Sequence, residues 1–431
     1  MRTLIPLTLL LAACGGKGDD ANRDTADDST TSDTNDDPTD TDTDTDSDTD
    51  TDTTPTTGLD GPCGSPYIPD AIEVMTVGTK LYAHVDGCVV VQSIDTYNTG
   101  RVQVIQLDDG GQTVTDPVPA TPSFTQTATI SDDGSVLQFL DQEAWHVGRY
   151  DGDVWQTAAN LTGFLSWISP DGTWAVFRDG SQMKGISVDG ATPPGFGSEL
   201  IYADTVAFGA EMTADGEWIV INTTDSLVAG DINYEDDVYA INKAGDIVWL
   251  SQAEGGGTTD GRSTNPVISH DGRFVAFDST ATDLIATDAN GRVQDVFLVD
   301  RDVDGNGVFD EQGQTSTSLI SASTGGTQAT NGGYQQASLT DDGRFVAFHG
   351  SGLGLDPAVT SFSEFNVYVH DTQTGTTQLV STRTGVLAAR DSAGEAHISP
   401  DGETIAFGGV PGAMNNGVFA NIYLAANPLF N

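Results

Sequence analysis

Two phrases in this chain, SHDGRFVAF at residues 269–277 and TDDGRFVAF at residues 340–348, differ in two letters. Looser copies read SDDGSVLQF, SPDGTWAVF, TADGEWIVI and SPDGETIAF, so the shared Asp-Gly pair recurs at Asp133, Asp171, Asp215, Asp271, Asp342 and Asp401. A unit copied in this way cannot cover its own apolar faces and needs neighbours of the same kind to bury them. Asp-Gly is a strong hairpin signal: glycine accepts positive φ, and the Asp carboxylate can bind nearby backbone N–H groups. A strand should therefore stand on each side of every pair. The strand after it, such as Phe274-Val275-Ala276-Phe277, shows no polar alternation. Both of its faces are expected to be covered.

A second phrase follows further along each unit: DVYAIN from Asp237, DVFLVD from Asp295, NVYVHD from Asn366 and NIYLA from Asn421. A third phrase, IVWLSQ, TSLISA or TQLVST, comes after it. Each unit thus reads as a four-stranded antiparallel meander. The predicted fold is all-β, a β-propeller built of such blades. Segment 80–107 offers three strand-like runs without the signature, enough for one divergent blade more, so seven blades are favoured and six remain open. The last unit lacks an outer strand, which a segment near Ala71 to Val77 is expected to supply, closing the ring and removing two edges. The Asp-Gly pairs stand 38 to 71 residues apart, so loops absorb the difference, and variable loops on a constant frame are where binding resides.

The front of the chain is of another kind. Residues 1–14, MRTLIPLTLLLAAC, join one Arg to a short apolar run and end Leu-Ala-Ala-Cys; they resemble a bacterial lipoprotein signal, too short to span a bilayer. The resemblance implies lipidation of Cys14 and, with Gly15 rather than Asp following, an outer-membrane anchor. Residues 15–60 are an Asp/Thr-rich stretch without periodic apolar positions, expected to be a disordered, self-repelling stalk. The propeller is assigned residues 61–431. Of the three cysteines, Cys63 and Cys88 remain as a candidate disulfide in an oxidising compartment. With 64 acids against 16 bases and a net charge of −48, nucleic acid is excluded as a partner.

The [ST]-x-D-G-x-x-[IVL]-[AV]-F units followed by D-V-[FY] strands resemble the WD-like propeller repeats of the TolB family, over roughly residues 125–425. TolB is a periplasmic binding protein that contacts an outer-membrane lipoprotein. The likeness implies the fold; the repeated letters are turns and core, and propellers of this kind serve as scaffolds, binding modules and parts of enzymes. The chain departs from TolB in its own lipid signal, its acidic stalk and the lack of a match to TolB's N-terminal domain.

One loop carries a metal-like register. Asp300, Asp302 and Asp304 alternate, Gly305 allows a sharp turn, Asn306 offers a backbone carbonyl, and Glu311 stands at position twelve, as in an EF-hand calcium loop. The flanking runs are strands rather than helices, so a structural Ca2+ inside a hairpin is expected. Two looser acidic turns, Asp231-Ile232-Asn233 before Asp237 and Asp288-Ala289-Asn290-Gly291 before Asp295, occupy equivalent places and read more simply as Asx turns. No G-x-S-x-G, H-E-x-x-H, P-loop or Cys-His zinc spacing is present. His270, His349, His370 and His397 fall in or beside repeat strands and read as structural. Trp167, Trp174 and Trp218 read as core between blades. The expected function is non-catalytic binding at the cell envelope by a lipid-anchored propeller, with an envelope protein, peptide or glycan as partner; the alternative is a propeller hydrolase or lyase acting on extracellular polysaccharide or peptide.

Overall fold

The computed structural model describes residues 164–189, 196–329, 332–360, 365–381, 392–410 and 421–430, and before them the strands lying between residues 72 and 161. Cys14, Cys63, Cys88 and Asp133 lie outside the described residues, as do the signal-like segment and the stalk. Among the described residues no helix is long and apolar enough to cross a membrane.

The described strands form seven four-stranded sheets, and every strand pair in them is antiparallel. Six follow chain order. The remaining sheet begins with Ile72–Thr76, which pairs with Asn421–Ala426, so the outer strand expected from residues 71–77 is in place. Segment 80–107 supplies Lys80–Leu81, Val89–Thr96 and most of Thr99–Asp108, and Gly111–Thr115 completes that sheet. First strands of neighbouring sheets touch one another: Phe164–Ile168, Gly209–Met212, Ser263–Ile268, Tyr334–Leu339 and Ser392–Ile398 in turn. They form the inside of the molecule. Lys80–Leu81 reaches Thr404–Val410, so the first complete sheet touches the last.

The apolar strands of one sheet bury themselves against the next. Val220, Val238 and Ala240 of one sheet share a core with Ile268, Val275, Phe277 and Phe297 of its neighbour. Phe277 and Phe297 stack at 6.2 Å and are fully buried, each stabilising by roughly 1.5–3 kcal/mol. Trp167 and Trp174 pack on the core of the following sheet, as core tryptophans should.

Five described Asp-Gly turns close alike. The Ser or Thr two residues before the Asp donates its hydroxyl to Oδ1, at 2.7 Å for Ser169 to Asp171, 2.8 Å for Thr213 to Asp215, 2.7 Å for Ser269 to Asp271 and Thr340 to Asp342, and 2.6 Å for Ser399 to Asp401. The same Oδ1 accepts the N–H two residues on, and the hydroxyl oxygen accepts the N–H that begins the next strand. Glycine is obligatory for two reasons at Gly216: its φ is +65°, and a Cβ there would stand 2.6 Å from the Trp174 ring of the preceding sheet.

Candidate binding face

In a meander, the links after the first and third strands lie at one end and those after the second and fourth at the other. The first end carries the Asp-Gly turns and the 301–315 loop; the second carries the segments 224–236, 250–262, 280–294, 320–333 and 351–365. Loop length is concentrated at the second end.

At this end the repeated phrase stops being repeated. The residue after the copy is Leu140, Arg178, Asn222, Asp278, His349 or Gly408, on a frame otherwise nearly constant. Asp278 is buried and accepts from Thr264 Oγ1 (3.1 Å), Asn265 Nδ2 (3.0 Å), Gln294 Nε2 (2.5 Å) and, across to the next sheet, the Gln336 N–H (3.1 Å). Burial outweighs these donors and pushes its carboxyl up to about 6. His349 is buried too, and desolvation pulls its imidazole down to about 4, so it is neutral at pH 7. Its ring meets Phe365 edge to face at 5.7 Å. Asn222 donates to Asp236 at 3.2 Å, and Arg178 to the Ala207 carbonyl at 3.2 Å.

Two inner strands break register at matching points, between Thr264 and Val267 and between Gln335 and Ser338. The breaks hold Asn265 at φ 52° and Gln336 at φ 51°, both exposed. Left-handed backbone at a residue other than glycine costs about 1 kcal/mol or more. Asp278 holds both bulges in place. Around them stand exposed apolar side chains: Val206, Phe208 (58% exposed), Ile232, Tyr234 (82% exposed) and Phe365. Tyr234 itself has φ 60°. The loops of this end also carry exposed acids, Asp204, Asp225, Glu235, Glu254 and Asp260.

The opposite end is occupied by internal pairing. In the 300–311 loop, Asp300 receives Arg273 through both oxygens at 2.8 Å. Asp302 takes the Asn306 and Gly307 amides at 3.0 and 2.8 Å; burial pushes its carboxyl up, but these amides outweigh it and the net shift is downward. The Asn306 side-chain amide lies between Asp304 (3.1 Å) and Glu311 (2.6 Å). The five expected calcium ligands are thus neighbours, but as arranged they answer one another and Arg273, and among the described residues no three His, Cys, Asp or Glu side chains converge on a metal position. Arg301, which the sequence did not single out, is the hub beneath: fully buried, it pairs with Asp310 at 2.6 Å, donates to the Gly272 carbonyl at 2.8 Å and stacks on Trp218 at 4.1 Å. His270 meets Asp341 of the next sheet at 3.1 Å, and His370 bonds Thr377 at 2.8 Å inside its own sheet. His397 is half-buried in the inner strand Ser392–Ile398.

On the flank, a cavity of about 730 Å³ opens beside Trp249, Leu250, Leu284, Val299 and Thr317, with Glu254 and Asp310 as its only carboxylates. It brings together no set of polar groups comparable to the loop end.

No family model matches the chain, and no curated protein does. Solved structures do. The β-propeller domain of Cps50 (Swd1) from Myceliophteria thermophila superposes with a TM-score of 0.52 at 12% identity, over 83% of this chain and 99% of that one. This protein has a β-propeller fold. An oligogalacturonate lyase from Vibrio parahaemolyticus also matches the propeller with a TM-score of 0.52, at 14% identity over 84% of this chain and 92% of that one. A putative TolB from Agrobacterium tumefaciens aligns with a TM-score of 0.40 and 17% identity over 74% and 94%.

Proposed function

We propose that this propeller is a non-catalytic binding module that takes a protein partner on its long-loop face, held at the cell envelope by a lipid on Cys14 and spaced from the membrane by the acidic stalk. The observation that carries the reading is the contrast within that face. Polar residues that differ from copy to copy stand inside an apolar rim that no folding requirement exposes, Phe208 and Tyr234 above all. The seven sheets serve as seven blades of a rigid frame for these loops.

A lyase or hydrolase is the second reading, favoured by the fold shared with oligogalacturonate lyase. Two features weigh against it. Asp278 has four donors of its own. The acid-bearing loops would also repel a polyuronate. Calcium enters as a brace at the 300–311 loop, taken by Asp302, Asp304 and Glu311 once the Asn306 amide turns aside.

The test is capture of envelope proteins by the soluble ring, by its Phe208→Ala/Tyr234→Ala variant and by a variant altered at Val303 and Val308 on the other end. A partner lost with the first variant and kept with the second supports the reading. Partners indifferent to both variants, or turnover of an oligosaccharide or peptide that Asp278→Asn abolishes, would sink it.

A further inference from the structure

Two acids at the base of the loop that presents Ile232 and Tyr234 are buried with half of their oxygens unanswered. Asp231 is 4% exposed and Asp237 0%. Each is pinned through one oxygen. The Tyr239 hydroxyl donates to Asp231 Oδ2 at 2.5 Å; the Ser251 hydroxyl and Trp249 indole donate to Asp237 Oδ1 at 2.6 and 3.0 Å. The other oxygens, Asp231 Oδ1 and Asp237 Oδ2, are buried and have no hydrogen-bond donor. Among the described residues no Lys, Arg or His forms an ion pair with either acid. The Asn233 amide stands close enough to Asp237 to favour its charged form, and within hydrogen-bond distance it donates to the Thr259 carbonyl and hydroxyl at 3.3 and 3.4 Å.

Two neighbouring carboxylates cannot both stay charged in a dry site without a counter-charge, and an unpaired one costs several kcal/mol. A proton or a cation must supply it. One oxygen fixed by an outer hydrogen bond and the other left bare is how a protein orients a carboxylate that ligates a metal. The two bare donors are carboxylate oxygens, which select a hard cation, while the Asn233 side-chain carbonyl is held by the Glu235 N–H at 3.0 Å.

We propose that Asp231 Oδ1 and Asp237 Oδ2 hold a divalent cation of the calcium class, with further oxygens of the 231–237 turn and water completing its shell. The sister turn shows the alternative solution. There Asn290 donates its amide to Asp295 Oδ2 at 2.8 Å, Asp288 Oδ1 takes the Asn290 and Gly291 amides at 3.0 Å, and Phe297 replaces Tyr239. Only the neutral Asn290 Oδ1 lacks a donor. That turn has closed itself with hydrogen bonds; the 231–237 turn has not. Because Tyr234 lies inside the proposed cation loop, loading would fix the rim of the binding face, a consequence that rests on the reading of that face given above.

Terbium reports on the site directly, since Tyr239 and Trp249 contact its ligands and would sensitise a bound lanthanide. The whole protein, stripped with chelator, is titrated with Tb3+ and competed with Ca2+, Mg2+ and Na+, beside Asp237→Asn, Tyr239→Phe, Asp295→Asn and Glu311→Gln. Expected is sensitised emission displaced by Ca2+, lost with Asp237→Asn, weakened about tenfold by Tyr239→Phe through loss of the orienting hydrogen bond, and kept by the other two. Asn366 begins the equivalent strand elsewhere, and there the Val367 N–H donates to Ser381 Oγ as the Val238 N–H donates to Ser251 Oγ, so an amide at position 237 is compatible with folding. Emission unchanged by Asp237→Asn, or lost only with Glu311→Gln, overturns the proposal. So does a chain that binds neither Tb3+ nor Ca2+. None of these readouts uses the protein partner, so failure here and failure of the binding reading are separable.

Discussion

The 300–311 loop and the 231–237 turn are both acidic, and they manage their charge in opposite ways. In the loop every expected ligand side chain is answered from within the protein, Asp300 by Arg273, Asp302 by two amides, Asp304 and Glu311 by Asn306. In the turn two carboxylate oxygens are buried without a hydrogen-bond donor of their own. A dense acidic motif is therefore not where cation demand is highest. Demand depends on how many oxygens the fold leaves dry and unanswered, because a solvated or hydrogen-bonded carboxylate gains little from a metal while a bare buried one gains much.

The largest expected effect tests the closed side of this comparison. Arg301→Ala removes a fully buried guanidinium from Asp310, the Gly272 carbonyl and the Trp218 ring, and should cost about 3 kcal/mol or more in denaturant unfolding. A loss under about 1 kcal/mol would mean that the loop is not closed from beneath.

Next comes a reversal of sign. In chelator, Asp237→Asn should stabilise the protein by about 1–2 kcal/mol, because it removes an unpaired buried charge. In millimolar calcium the same substitution should be destabilising relative to wild type. Equal effects with and without calcium, read as thermal midpoints, would erase the distinction between turn and loop. For the loop, calcium must first break internal hydrogen bonds, so Glu311→Gln should alter only a weaker calcium-dependent phase.

A third measurement asks what donors do for a buried acid. Burial pushes Asp278 up to about 6 and Glu211 to about 7, above their ordinary range. The folded state therefore binds protons that the unfolded state has released near pH 4. Their contribution to stability is present below that pH and is lost as pH rises through about 6 to 7. Asp278→Asn and Glu211→Gln should flatten this slope; an unchanged slope would place the titration elsewhere. Smallest of all, Asp300→Asn should cost under about 1 kcal/mol, since the Arg273 pair is partly solvated and salt screens it.

Much of the architecture was legible in the one-dimensional pattern. The Asp-Gly phrases at Asp171, Asp215, Asp271, Asp342 and Asp401 are turns between strands, and the closing strand lies within the segment expected for it. Hairpins are local, so their chemistry is written in adjacent letters. Ligand status is not local. Arg273 reaches Asp300 from 27 positions away, and Asp278 meets Gln336 from 58 positions away in the next sheet. The variable letter at Arg178, Asn222, Asp278 and His349 was a signal in plain view; its meaning required knowing that the copies are arrayed around one interior.

The amino-acid order alone determined that this chain builds copied antiparallel sheets, because turn chemistry and apolar runs act over a few residues and repeat in register. Only the tertiary structure decided which acids are neutralised by neighbours and which are left bare. That choice depends on burial and on partners from distant strands, and electrostatic free energy is set by those surroundings rather than by the carboxylate itself.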